Sequence, residues 1–168
     1  MYLDINNHIS EIVNTYSDMV YKLALARTKN KFDADDVYQE VFMRYMKSYS
    51  KFTSNDHIKA WLIRVTINCS NNIFNSSWFK KTVLLNNSLK DIFLGDLKFS
   101  TEENKKVYNS VLELPKKYRT VIHLFYYEDM SITEISKTLN IKEGTIKSQL
   151  HRGRNLLKEI LEGEINDV

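Results

Sequence analysis

The chain has 168 residues, of which 43% are hydrophobic, 27% charged and 12% aromatic, with a formal net charge of +3. That composition builds a packed core and excludes a disordered or low-complexity chain. One Pro and four Gly leave few helix breakers, and a lone cysteine, Cys69, excludes an internal disulfide and a multi-thiolate zinc site.

No apolar run approaches the ~20 residues needed to span a bilayer. The opening MYLDINNHIS has neither the basic nor the apolar region of an export signal, so a cytoplasmic protein with no membrane insertion of its own is expected.

Ile9, Ile12, Val13, Tyr16, Val20 and Leu23 recur at helical spacing and predict a first helix ending near Asn30. Asp33 is placed as the N-cap of a second, running from 34 to 49, with Asp35 and Asp36 in its first turn and Val37, Val41, Phe42 and Tyr45 as its apolar positions. After a polar loop, Ser48 to Asp56, the series Ile58, Trp61, Leu62, Val65, Cys69, Ile73 predicts a third helix reaching Phe79.

Residues 80–104 mix Asn, Ser, Lys and Asp without a sustained period and are expected to be a linker between a domain at 1–79 and a domain at 105–168. Beyond it a helix is expected over 103–112, a second opened by Pro115, a short one capped by Ser131 with Glu134 three residues later, and a long one from Glu143. The expected fold class is all-α, as two small helical domains.

Between Ser131 and Leu157, Ile132, Ile135 and Leu139 form one apolar stripe, Asn140 to Lys142 a three-residue turn, and Ile146, Leu150 and Leu157 a second stripe. Two short helices joined in this way are the helix-turn-helix design. At 100° per residue, Ile146, Leu150, Gly153 and Leu157 face the core, while Gly144, Ser148, His151, Arg152 and Asn155 lie opposite, flanked by Thr145 and Lys147. Lys142, Lys147, Arg152 and Arg154 stand against Glu143 alone in this stretch, and a face of donors suits phosphates and major-groove base edges.

The N-terminal half shows the opposite contrast. Asp33, Asp35, Asp36 and Glu40 cluster at one helix start, whereas Arg44, Lys47, Lys51, Lys59, Arg64, Lys80 and Lys81 follow against Asp56 alone. Protein that only grips DNA has little use for such an acidic patch.

The string DADDVYQEVFMRYMKSYSKF at 33–52 resembles the polymerase-core-binding part of region 2 in the extracytoplasmic-function sigma factors of the sigma-70 family. HIKAWLIRVTINCSNNIFNSSWFKK at 57–81 is similar to the promoter-melting and minus-ten-reading segments that follow it, and residues 112–161, with LP, YR, EIS and GTIKS in place, are similar to region 4. The resemblance covers nearly the whole chain in the family's order.

It implies a two-domain initiation factor that docks on the clamp and flap of the large subunits of core RNA polymerase, binds promoter DNA, and is held by an anti-sigma factor. Polymerase contacts carry over to Asp33, Asp35, Asp36, Gln39, Glu40 and Phe42. Minus-ten contacts carry over to Lys51, Asn55, Lys59, Trp61, Arg64, Asn68 and Asn72, and minus-thirty-five contacts to Thr145, Lys147, Ser148, His151, Arg152 and Arg154. The chain departs from the family at Asn72 and Asn75, where an acid and an arginine are common, and at Gln149, where arginine is common. Trp61 also sits in an apolar series, where core packing is the plainer role.

An enzyme finds no footing: His8, His57, His123 and His151 are not paired at metal-ligand spacing, and there is no Gly-rich phosphate loop or nucleophile motif. No cofactor and no metal is expected. A stand-alone helix-turn-helix regulator would explain only the C-terminal half, and a protein-binding adaptor would leave the basic recognition face without a task.

Overall fold

The structure, a computed structural model, describes residues 2–74 and 99–166, and the chain divides into two compact units, Met1–Leu97 and Lys98–Val168. Among the described residues all regular structure is helical, and no helix is long and apolar enough to cross a membrane.

The first unit packs three helices pairwise, α1 (Tyr2–Thr28), α2 (Lys31–Ser48) and α3 (Asn55–Phe74). Helix α1 starts about two turns before the first apolar stripe, because Tyr2–His8 carries little period to read. Its last six residues, Leu23 to Thr28, are all buried, and Ala24 and Ala26 let the other two helices come close. Lys29 then turns left-handed at φ 53°, its N–H bonded to the Leu25 carbonyl at 2.8 Å, and stops the helix.

The N-cap of α2 is Asn30, not Asp33. Asn30 is extended, and its side-chain oxygen accepts the Asp33 N–H at 3.1 Å. Asn and Asp cap equally well, so the earlier one takes the role and Asp33 falls in the first turn, where it is buried. Burial, and then the Asp36 charge, push its carboxyl above the usual carboxylate range.

The expected polar loop contains a single 3-10 turn, η1 (Tyr49–Lys51), and its last two residues, Asn55 and Asp56, already belong to α3. Tyr45 stacks on Phe52 with ring centroids 5.6 Å apart, and Trp61 meets both rings, at 6.2 and 5.2 Å. This cluster fastens the loop to the bundle. The expected continuation of the third helix to Phe79, the linker residues 80–98, and Asn75, Lys80 and Lys81 lie outside the described residues.

The second unit contains α4 (Glu102–Glu113), α5 (Lys116–Tyr126), α6 (Ile132–Leu139) and α7 (Glu143–Asn166). Thr101 caps α4, so this helix opens inside the stretch read as linker. Pro115 stands at the N-cap of α5, and buried Arg119 donates to the Leu114 carbonyl at 3.0 Å, holding the α4–α5 corner.

Ser131 and Glu134 form a complete capping box on α6: Ser131 Oγ accepts Glu134 N–H at 3.1 Å, and Glu134 Oε2 accepts Ser131 N–H at 2.7 Å. Asn140 ends the helix left-handed at φ 55°. Thr133 Oγ1 donates to Glu143 Oε1 at 2.8 Å and Ser136 Oγ to the Ile141 carbonyl at 2.5 Å, so the three-residue turn is stapled from both sides. Helix α7 lies against α4, α5 and α6. It packs tightly on α5 at Gly153, where a Cβ would stand 3.0 Å from Ile122 Cγ1 and 3.3 Å from Tyr118 Cβ.

Candidate docking and nucleic-acid interfaces

Helix α2 buries Val37, Val41, Phe42 and Tyr45 against the bundle, which turns a second stripe to solvent. Phe32, Asp36, Gln39, Met43 and Met46 are exposed at spacings of four, three, four and three, a straight seam along the helix. Phe32 is 64% exposed, Met43 47% and Met46 46%. An exposed seam with two methionines, which adapt to irregular partners, beside carboxylates is suited to another protein's helix rather than to nucleic acid.

Of the residues carried over for polymerase contact, Asp36 and Gln39 lie on this seam, and Asp35 and Glu40 are half-buried at its flank. Asp33 and Phe42 are buried and lie beneath it, because their positions in the helix face α1 and α3. Phe32, Met43 and Met46 were not singled out from sequence; an exposed apolar residue is recognisable only once the packed face is known.

Glu40 bonds Arg44 at 2.6 Å one turn on. The pair borders a cleft of about 380 Å³ between α2 and α3 that also touches Asp36, Cys69 and Asn72. Burial pushes the Cys69 thiol up; Arg44 opposes this and Glu40 adds to it.

Helix α3 presents Arg64, Asn68 and Asn72 exposed on the face of half-buried Trp61. Lys51 and Asn55 are exposed at the loop and at the helix start, and Lys59 is half-buried. Ser54 Oγ accepts His57 N–H at 3.3 Å, and the Tyr16 hydroxyl donates to the Asn55 carbonyl at 3.4 Å, so the start of α3 is anchored from within and by α1. Amides and a guanidinium beside a fixed loop match the donor and acceptor edges of unpaired bases. Trp61 packs at an angle against the rings of Tyr45 and Phe52, which makes it a support of the loop.

On α7, Ile146, Leu150 and Gly153 are buried while Thr145, Lys147, Ser148, His151 and Arg152 are exposed on the other side. Ser148 Oγ donates to its own helix at the Gly144 carbonyl, 3.1 Å away, and Asn155 and His151 side chains meet at 3.4 Å. A hydrogen bond from the Arg152 guanidinium, with Lys117 adding, holds the Tyr118 phenol below the ordinary tyrosine range. Lys117 Nζ stands 4.9 Å over the same ring. The basic face thus extends past α7 onto the first turn of α5, which sequence spacing did not show.

Arg154 departs from this face. Its Nη1 donates to the Tyr126 hydroxyl at 3.1 Å, and it borders an apolar groove of about 400 Å³ formed with Val111, Ile122, Leu157 and Leu161.

Residues 12–78 match the family described as Sigma-70 region 2, and residues 105–157 match Sigma-70, region 4. The chain is 33% identical over 165 residues to the ECF RNA polymerase sigma factor SigM of Bacillus subtilis (strain 168), covering 95% of this chain and 98% of the relative. It is 30% identical over 164 residues to SigW of the same organism, covering 90% and 88%.

Two solved structures share the fold. One is the sigma factor RpoE in complex with the anti-sigma factor NepR from Bartonella quintana, with a TM-score of 0.64, 19% identity, and 95% of this chain and 97% of that one covered. The other is CnrH in complex with the cytosolic domain of CnrY, with a TM-score of 0.63, 18% identity, and 94% and 90% covered. Two sigma-70 region families in order along the chain, and relatives of matching length at this identity, lead to one conclusion: the chain belongs to the extracytoplasmic-function sigma factors of the sigma-70 family.

Proposed function

We propose that this sigma factor works by three surfaces: the α2 seam docks on the clamp of core RNA polymerase, the loop 49–54 with the exposed face of α3 engages the minus-ten element, and α7 reads the minus-thirty-five element. Thr145, Lys147, Ser148, His151 and Arg152 make the reading face. Lys51, Asn55, Lys59, Arg64, Asn68 and Asn72 make the minus-ten face, with Trp61 holding the loop. Asp35, Asp36, Gln39 and Glu40 make the charged part of the docking seam, and Asp33 and Phe42 support it from below. The apolar groove beside Arg154 is the seat assigned to the polymerase flap. The factor acts in the cytoplasm, catalyses no reaction itself, and is held by an anti-sigma factor until a signal; the similar RpoE is in complex with the anti-sigma factor NepR, which supports such a partner. Domain limits of 1–79 and 105–168, with a linker between them, fit this division of labour.

The observation that carries the reading is the division of α7 into a buried side, Ile146, Leu150 and Gly153, and a basic exposed side. A helix so divided, delivered by a stapled turn, fits a major groove. The test is reconstitution: purified chain and core polymerase together protect and transcribe a promoter selected from random DNA, and the chain alone does not. Specific binding by the chain alone would favour a stand-alone regulator.

A further inference from the structure

The connection from α5 to α6 carries a polar arrangement that none of these surfaces uses. Met130 N–H bonds the Leu124 carbonyl at 3.1 Å, and Asp129 is left-handed at φ 52°. Within the segment this bond closes, Glu128 turns inward and is 7% exposed. Its Oε1 lies 3.1 Å from Nε2 of His123, which is fully buried. Nδ1 of the same ring faces the Tyr108 hydroxyl of α4 at 3.4 Å, and the imidazole stacks on Tyr127 with centroids 5.4 Å apart. The tautomer with its proton on Nε2 satisfies both ends: Tyr108 O–H donates to Nδ1, and Nε2–H donates to Glu128. The chain of bonds runs from α4 through α5 to the connection.

Burying a carboxylate to fill space is costly, and an apolar side chain would fill the same volume without that cost. What a carboxylate adds is direction, since its bond to the imidazole fixes the connection at one point. Helix α6 needs such a fixed point, because Ile135 is the only buried residue among its eight. The N-terminal half of α7 in turn leans on α6, through its packing, the Thr133–Glu143 bond and the Ser136–Ile141 bond. About two turns beyond Thr145, the same helix rests on α5 at Gly153. The seat of α6 therefore sets the angle at which Thr145, Lys147 and Ser148 meet DNA. We infer that Glu128, acting through His123, is a positioning residue for minus-thirty-five recognition. The inference rests on α7 being the minus-thirty-five reader.

The test uses holoenzyme assembled from the full chain and core polymerase, and measures binding to single-base variants of the minus-thirty-five element of a selected promoter. Glu128→Asp keeps the charge but stops one methylene short of His123, whereas Glu128→Gln keeps the length and an acceptor oxygen. His123→Val with Glu128→Leu removes both polar partners together, which leaves neither unsatisfied. Thermal melting of each variant separates folding from reading. E128D and the double variant are expected to lose about tenfold in discrimination between the preferred and the substituted bases, with E128Q within about twofold of wild type. E128D, which changes the side chain least, decides the matter if the double variant melts below the assay temperature.

Unchanged discrimination in E128D overturns the inference, as does a loss of binding to all promoters equally that follows the loss of melting temperature. Wild-type holoenzyme that does not discriminate at all overturns instead the reading of α7.

Discussion

Arg154 and Tyr126 lie 28 positions apart in the chain, and a 3.1 Å hydrogen bond from guanidinium to phenol draws Arg154 off the reading face of α7. Arg152, two residues earlier, also reaches a tyrosine of α5, Tyr118, but there Lys117 stands over the ring and the basic face continues, whereas Arg154 borders an apolar groove. The two arginines are therefore expected to differ in kind. Arg152→Ala should relax discrimination at one base pair by about 1 to 3 kcal/mol, since a guanidinium pairs in a bidentate way with guanine O6 and N7. Arg154→Ala should leave base preference unchanged. Holoenzyme binding across a set of single-base promoter variants measures both, and a uniform loss for Arg152→Ala would make it a backbone contact only.

Asp36→Arg with Glu40→Arg should abolish association with core polymerase in a pull-down while the melting temperature stays near that of wild type. Glu40 gives up only a surface pair with Arg44, of the kind worth about 0.3 to 0.5 kcal/mol. Like charges set against a basic partner cost several kcal/mol. Retained core binding would place the docking surface elsewhere.

Alanine at the helical glycines should separate by position. Gly153→Ala gains about 1 kcal/mol of helix propensity, but its Cβ must push buried Ile122 and Tyr118 Cβ back by a few tenths of an ångström in a packed contact, an overpacking of about 1 to 3 kcal/mol. A net loss of stability in the second unit is expected. Gly144→Ala and Gly163→Ala meet nothing within 4 Å and should raise stability by up to about 1 kcal/mol. Thermal or urea unfolding decides, and stabilisation by Gly153→Ala would show that α5 and α7 are not closely packed there.

Cys69 should resist alkylation. Burial raises its thiol above the ordinary value, so less thiolate is present at neutral pH, and the rate should climb only as pH rises past the usual thiol range. Iodoacetamide at pH 7.5 is expected to label the native chain at least about tenfold more slowly than the urea-unfolded chain. Equal rates would place the thiol in solvent.

The second unit was the more legible from sequence, and the reason is local. Ser131, Glu134, Asn140 and the apolar stripes act within a few residues of one another, so capping box, turn and exposed basic face can be read along the chain. The errors fall where distant residues decide. Asn30 and Asp33 compete for one cap with equal chemistry, and only the end of α1 at Thr28 settles which residue is free to take it. Arg154 has its partner on another helix. Phe42 belongs at once to the apolar series of α2 and to the motif carried over from the family, and packing resolves the conflict by burying it. The seam of Phe32, Met43 and Met46 has no signature until the buried face is known.

The packing of α1, α2 and α3 on one another within residues 2–74 has a consequence for synthesis. Helical units rich in local contacts fold in microseconds to milliseconds, whereas a ribosome adds about 5 to 20 residues per second. Roughly 5 to 20 s therefore pass between the completion of α3 and the completion of α7. A nascent chain presents a finished α2 seam before α7 has been made, and the order in which the two surfaces come into existence is set by translation rather than by folding.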